Sequence, residues 1–149
     1  CDYLELGDPG LPHAVVLLDG DCAMTQEALR ELGRKLRANS AFPKGANVNF
    51  CRVIGENEVE ELTYERGVED FTLACGTGAG SLAAVLTASG RMDGANVQVQ
   101  TAGGDLDVEV EMEAGRVENL YLTGAALIVY SGELAEEFLQ PVVIENIMD

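Results

Sequence analysis

The period of the hydrophobic pattern changes several times along this chain. "PHAVVLLDG" is a continuous apolar, β-branched run that closes on a turn signal, which predicts a buried strand. "TQEALRELGRKLRAN" follows, with a threonine able to cap and with Ala28, Leu29, Leu32 and Leu36 at helical spacing. An amphipathic helix is therefore predicted over Thr25 to Asn39. "GANVNFCRVIG" and "EVEELTYERG" then read as two strands on either side of a polar turn at Glu56 and Asn57, the pattern of a β-hairpin.

The next segment follows neither period. From Gly76 to Ser89, "GTGAGSLAAVLTAS" is small or apolar on every side, with Gly90 as the stop, and a helix apolar all round is a buried one. "ANVQVQTAGGDLDVEVEMEAGRVENLYLTGAALIVYSGEL" alternates in short stretches punctuated by "AGG", "EAG" and "TG", which predicts an antiparallel meander. These elements sum to an α+β fold, a mostly antiparallel curled sheet around a central buried helix with a second helix outside. No linker or low-complexity tract divides the chain.

Composition sharpens this picture mainly by exclusion. The 149 residues, 47% of them hydrophobic, suffice for one domain or for one half of a two-domain enzyme. No run approaches the roughly 18 to 20 apolar residues of a membrane span. The opening "CDYLELGDPG" lacks the basic and apolar regions of a signal peptide, so a soluble, cytoplasmic protein is expected. Nine basic against 26 acidic side chains, a net charge of -17, repel nucleic acid and anionic membranes, and neither is an expected partner. The acidic groups in "GENEVEEL" and "DLDVEVEMEAG" read as solvated surface. Four irregularly spaced cysteines (Cys1, Cys22, Cys51, Cys75), no CxxC pair and a single histidine argue against a zinc site and against a disulfide framework. Free thiols and no metal are expected.

The candidate chemistry centres on "YERGVEDFTLACGTGAG", in which Cys75 immediately precedes the buried helix. A cysteine is nucleophilic or basic as its thiolate, a form favoured where backbone N–H groups and the positive end of a helix point at the sulfur. The following glycines let the backbone approach a bound group, and free N–H donors there can hold a carboxylate or phosphate. Glu65 and Arg66 end the preceding strand, where a short loop can return them to the helix start. Glu65 can accept a proton or bind an ammonium, and Arg66 can fork onto a carboxylate. Each of these residues also has a plainer reading. Cys75 can be a packed thiol, Glu65 and Arg66 a surface ion pair, His13 a hydrogen-bonded strand-end histidine, and Asn47 a turn or cap residue.

"PHAVV", "FPKGANVNF", "TYERGV", "ACGTGAG" and "LTGAA", in this order and at these spacings, resemble the C-terminal half of the diaminopimelate epimerase family, cofactor-independent enzymes that interconvert LL- and meso-diaminopimelate. The resemblance spans about residues 10 to 130. It implies two pseudo-symmetric α/β halves, each a sheet curled around a central helix, with the amino-acid substrate in the cleft between them. Two cysteines then face each other across the cleft. One, as thiolate, takes the α-hydrogen; the other, as thiol, delivers a proton to the opposite face, without pyridoxal phosphate or metal. Cys75 matches the second cysteine.

Carried over residue by residue, the resemblance implies that Glu65 holds the substrate ammonium and supports Cys75. Arg66 and Asn47 bind the distal carboxylate, the N–H groups of Gly76 and Thr77 take the α-carboxylate, and His13 assists the other cysteine. Residues 1–149 are then the C-terminal domain of a two-domain epimerase whose N-terminal domain is absent from this sequence. Such a fragment is expected to be inactive alone and to expose an apolar face to the missing half or, as a homodimer, to a second copy. Two departures bear on the substrate: Leu11 replaces the family's usual asparagine before "PH", and "ERGVEDFTLACG" is one residue longer than usual. Two alternatives stay open. One is a related racemase of another amino acid, proline racemase-like or specific for a basic or aromatic substrate; the other is a non-catalytic anion-binding module.

Overall fold

A computed structural model describes residues 1–136 of the chain. Eight strands and two helices follow one another as β1 (Asp2–Leu6), β2 (Leu11–Leu17), α1 (Gln26–Arg37), β3 (Asn47–Val53), β4 (Glu58–Glu65), β5 (Asp70–Phe71), α2 (Gly76–Ala88), β6 (Val97–Thr101), β7 (Gly104–Glu113) and β8 (Arg116–Gly124). The strands form one sheet in the order β1-β2-β3-β4-β6-β7-β8, with β5 paired to β4. Two neighbouring pairs, β2 with β3 and β4 with β6, are parallel, and the others are antiparallel. A parallel pair requires a crossover, and the two helices lie in those crossovers. The α1 crossover packs on one face of the sheet and the α2 crossover on the other.

Strand alternation sorts the core into these two layers. Val15, Cys51, Val59, Val97, Val99 and Val108 meet Ala79, Leu82, Ala83 and Leu86 of α2, all nearly or fully excluded from water. Val48, Phe50 and Tyr64, one residue out of phase on β3 and β4, form the second layer with Met24 and Leu29 beneath α1. Burying a side chain such as Leu82 contributes about 1.5 to 3 kcal/mol, so α2, buried along most of its length, anchors the larger layer. Thr25 caps α1, its Oγ1 accepting from the Ala28 N–H at 3.2 Å. Arg37 pairs with Glu69 and Arg30 with Asp70, tying α1 to the β4–β5 turn.

The structure differs from the sequence expectation in three places. The buried stripe of α1 is Leu29, Gly33 and half-buried Leu36, whereas Ala28 and Leu32 are exposed. Gly33 is on the contact side because the Tyr64 ring lies against it, where a Cβ would stand 3.0 Å away. Strand β1 carries no buried side chain, only half-buried Leu4 and Leu6, so an apolar pattern does not mark it. Beyond β8 the expected continuation of the meander forms no ladder among the described residues. Leu127, Ile128, Val129 and Tyr130 stand open to solvent at 89%, 94%, 83% and 84% exposure, so the alternation there has no partner strand to serve. Among the described residues no helix is long and apolar enough to cross a membrane.

Candidate active site

Cys75 is the N-cap residue of α2, in extended backbone, and the helix runs on from Gly76. No side-chain capping hydrogen bond closes the start of the helix, which leaves the Gly76 and Thr77 amides for another acceptor. Cys75, Gly76, Thr77, Gly80, Glu65 and Leu122 are among the residues lining an open concavity of about 540 Å³. The Thr77 hydroxyl lies 3.5 Å from Cys75 Sγ. Burial pushes the Cys75 thiol up from its ordinary value, while the Thr77 hydroxyl and the nearby Gly78 amide pull it down. Burial prevails, and the carboxylates of Glu61 and Glu65 add to it. The resting sulfur at neutral pH is therefore a thiol, although the helix start alone favours the thiolate.

The parity of the strands explains why Glu65 reaches this concavity. Val59 packs against α2, so Glu61, Thr63 and Glu65, two, four and six positions on, face the same side. Asn47 and Asn49 share that side with Cys51 on β3, and His13 shares it with Val15 on β2. The parallel pairing sets His13 beside Asn47, and the Asn47 Oδ1 accepts from the Arg66 backbone N–H at 2.8 Å. Arg66 Nη1 donates to the Lys44 carbonyl at 2.7 Å. Of the residues named from the sequence, Glu65, Gly76 and Thr77 line the concavity with Cys75. Asn47 and Arg66 form an adjoining hydrogen-bonded corner. His13, fully buried, lies on the neighbouring strand and does not line the concavity.

Beneath the first turn of α2 lies a buried polar network whose other members the sequence reading did not single out. His13 Nδ1 and Asn49 Oδ1 are 2.8 Å apart. The Asn49 Nδ2 donates to Thr63 Oγ1 at 2.7 Å and to Glu61 Oε1 at 3.0 Å, and the Thr63 hydroxyl donates to Glu61 Oε1 at 2.8 Å. Burial raises the Glu61 carboxyl to about 7, although the hydrogen bonds from Thr63 and Asn49 oppose it. Burial also lowers His13, outweighing the Asn49 hydrogen bond, so the imidazole is neutral at neutral pH. Two atoms of the network, His13 Nε2 and Glu61 Oε2, are buried without a partner. The available signal was parity, since Asn49, Glu61 and Thr63 fall on the alternate positions already occupied by Asn47 and Glu65.

The other cysteines lie elsewhere. Cys1 and Cys22 are exposed, and Cys51 is buried in β3, where desolvation pushes its thiol up to about 12. Among the described residues, no three His, Cys, Asp or Glu side chains are grouped so as to hold a metal ion.

Comparison with known proteins agrees with the motif order. The family model described as diaminopimelate epimerase matches residues 7–129. The diaminopimelate epimerase of Methanothrix thermoacetophila is 40% identical over 131 residues, covering 88% of this chain and 43% of that protein. That of Aquifex aeolicus is 38% identical over 133 residues, covering 88% and 46%. The chain thus spans less than half the length of these curated relatives. Among solved structures, a phenazine biosynthesis protein of the PhzF family from Bacillus anthracis superposes with a TM-score of 0.55 at 18% identity, covering 76% of this chain and 34% of its own. A hydroxyproline epimerase from Agrobacterium vitis superposes with a TM-score of 0.53 at 14% identity, covering 76% and 38%. These likenesses establish the α+β fold, a curled, mostly antiparallel sheet around a central helix. With the family match over most of its residues and with relatives of this identity, the chain belongs to the diaminopimelate epimerase family.

Proposed function

We propose that this chain is the C-terminal half of an epimerase that inverts one α-carbon of diaminopimelate by two-base proton transfer, with Cys75 as the proton donor of this half. The observation that carries the reading is the meeting of the Cys75 thiol, the Glu65 carboxylate and the uncapped start of α2 in one open concavity. The α-hydrogen next to a carboxylate is a very weak acid, so charge developing on that carboxylate needs fixed donors. The Gly76 and Thr77 amides and the positive end of α2 supply them. Glu65 takes the substrate ammonium, and Arg66 with Asn47 takes the distal carboxylate. A thiol that burial keeps protonated suits the donor role, because it holds its proton until a carbanion forms. The other cysteine, assisted by His13, belongs to an N-terminal half, and the reaction follows the family expectation of needing neither pyridoxal phosphate nor metal.

One observation favours a second substrate. Leu11 pairs with Leu6, which lines the concavity, and alternation places Leu11 on the same face of β2 as His13. An apolar residue there suits a less polar distal end, so a racemase of another amino acid remains the alternative. Incubating the intact two-domain protein with LL-diaminopimelate in heavy water tests both readings. Loss of the α-proton with formation of the meso form, abolished by Cys75→Ser, is the expected result. Exchange on another amino acid alone moves the assignment to the alternative, and no exchange on any amino acid overturns the racemase reading.

A further inference from the structure

The polar network beneath α2 fixes more than packing. The Asn49 Nδ2 donates to Thr63 Oγ1 and to Glu61 Oε1, and both acceptors lie on β4. The Thr63 hydroxyl spends its own hydrogen on Glu61 Oε1. This leaves Thr63 Oγ1 as an acceptor toward Asn49 and settles which end of the amide faces which way. With Glu61 ionised, above its value of about 7, turning the amide over would aim its oxygen at a carboxylate oxygen and at a hydroxyl oxygen whose hydrogen is already used. The Asn49 Oδ1 must therefore face His13, and an oxygen there accepts only if His13 Nδ1 carries the hydrogen. In a neutral imidazole the second nitrogen is then bare.

We propose that Glu61, acting through Asn49 and Thr63, is a positioning residue that holds the His13 imidazole in one tautomer, with its hydrogen on Nδ1 and Nε2 bare. The unpartnered His13 Nε2 is the end product of this chain of commitments. A carboxylate buried with an orphaned Oε2 is unfavourable by itself, and a hydrophobic residue would pack more simply at position 61. Its presence there is explained if its acceptor orients the amide. The charged groups acting on the two ends of the network are Glu65 and Arg66 at His13, while the Glu61 charge reaches Cys51 and Cys75. Neither Glu65 nor Arg66 makes a hydrogen bond within the network, so the tautomer is decided by Glu61, Thr63 and Asn49. The inference rests on the epimerase reading only for what His13 does with its free nitrogen.

The chain has a single histidine, so nitrogen-15 NMR of the imidazole in the 149-residue protein reports this residue alone. At about pH 8 to 8.5, where Glu61 is ionised, Nδ1 is expected to give a protonated, pyrrole-type resonance and Nε2 a pyridine-type one. Glu61→Leu removes the shared acceptor and should lower the preference for this tautomer by about tenfold, the scale of one net hydrogen bond. Glu61→Gln keeps an acceptor oxygen and should restore it, a rescue that a purely packing role for the side chain would not produce. Pyridine-type Nδ1 in the unsubstituted protein overturns the proposal without any variant. So does a Glu61→Leu protein with an unchanged tautomer. If the expected tautomer is found while the intact enzyme racemises nothing, the epimerase reading falls and the positioning role of Glu61 stands.

Discussion

Gly78, in the first turn of α2, lies directly against the side chain of Asn49 on β3. A Cβ on that glycine would fall 2.7 Å from Glu61 Oε1 and 3.1 Å from Thr63 Oγ1, and closer still to Asn49 Nδ2. The helix start that carries Cys75 comes down onto the polar network only because position 78 has no side chain. The seating of the candidate proton donor and the orientation of the buried imidazole thus depend on one close contact.

Gly78→Ala is expected to destabilise the fold. Alanine gains up to about 1 kcal/mol in intrinsic helix propensity over glycine. Overpacking a well-filled site costs about 1 to 3 kcal/mol, and here the colliding atoms hold one another by hydrogen bonds and cannot swing away separately. The overpacking should prevail, with a net loss of up to about 2 kcal/mol and a melting temperature lower by several degrees. Calorimetry on the variant checks this, and an unchanged or higher melting temperature would show that α2 has room to shift.

Alkylation should separate the four cysteines. Cys1 and Cys22 are exposed and should react first with iodoacetamide near neutral pH. Cys75 lines an open concavity but is held as a thiol by burial, so it should follow more slowly and speed up as the pH is raised. Cys51, buried and with its thiol pushed up to about 12, should stay unmodified in the folded chain. Thr77→Val removes the hydroxyl beside the sulfur and should slow Cys75 a further few-fold at neutral pH. Mass mapping of the labelled peptides reads the order, and Cys51 reacting ahead of Cys75 would refute it.

Stability should fall with pH through the range where Glu61 ionises. Its carboxyl sits at about 7 in the folded chain against an ordinary 4.5, so between those values the folded state binds the extra proton. Stability then decreases as the pH rises across that window, by about 3 kcal/mol at most. His13 acts in the opposite sense. Its folded-state value is lowered by burial, so the unfolded chain binds its proton more readily, and stability rises as the pH climbs toward 6.5. Glu61→Gln should abolish the fall and leave the rise. Urea midpoints measured from about pH 5 to 8 in both proteins check it, and identical profiles would show that Glu61 ionises outside this range.

The exposed apolar residues should make the isolated chain self-associate. Leu73, Tyr121 and Leu122 are at least half exposed, and Leu127, Ile128 and Val129 more so. Leu127, Ile128 and Val129 are consecutive, and a run of exposed apolar side chains is normally covered by a partner. Sedimentation should show a concentration-dependent dimer, and paired Leu127→Asp and Val129→Asp changes should return it to a monomer. A chain that is monomeric at all concentrations would count against a covered face in this region.

Local pattern determined a large share of this protein. The all-round apolar run from Gly76, the capped stripe after Thr25 and the two alternating strands around Glu56 and Asn57 each carry a local signal, and each forms the expected element. The placement of Cys75 directly before a buried helix was equally legible, because a helix start depends on adjacent residues. What only the tertiary structure decided are the relations between segments far apart in the chain. The parallel pairing of β2 with β3 sets His13 beside Asn47, and the parallel pairing of β4 with β6 sets Val59 beside Val99. No local period encodes which strands become neighbours, since that depends on both helices finding opposite faces of one sheet. The protonation of Cys75 was hidden for the same reason. Glycines and a helix start favour the thiolate, but the proton affinity of the sulfur is decided by how much water the surrounding strands exclude, and they exclude enough to keep it a thiol.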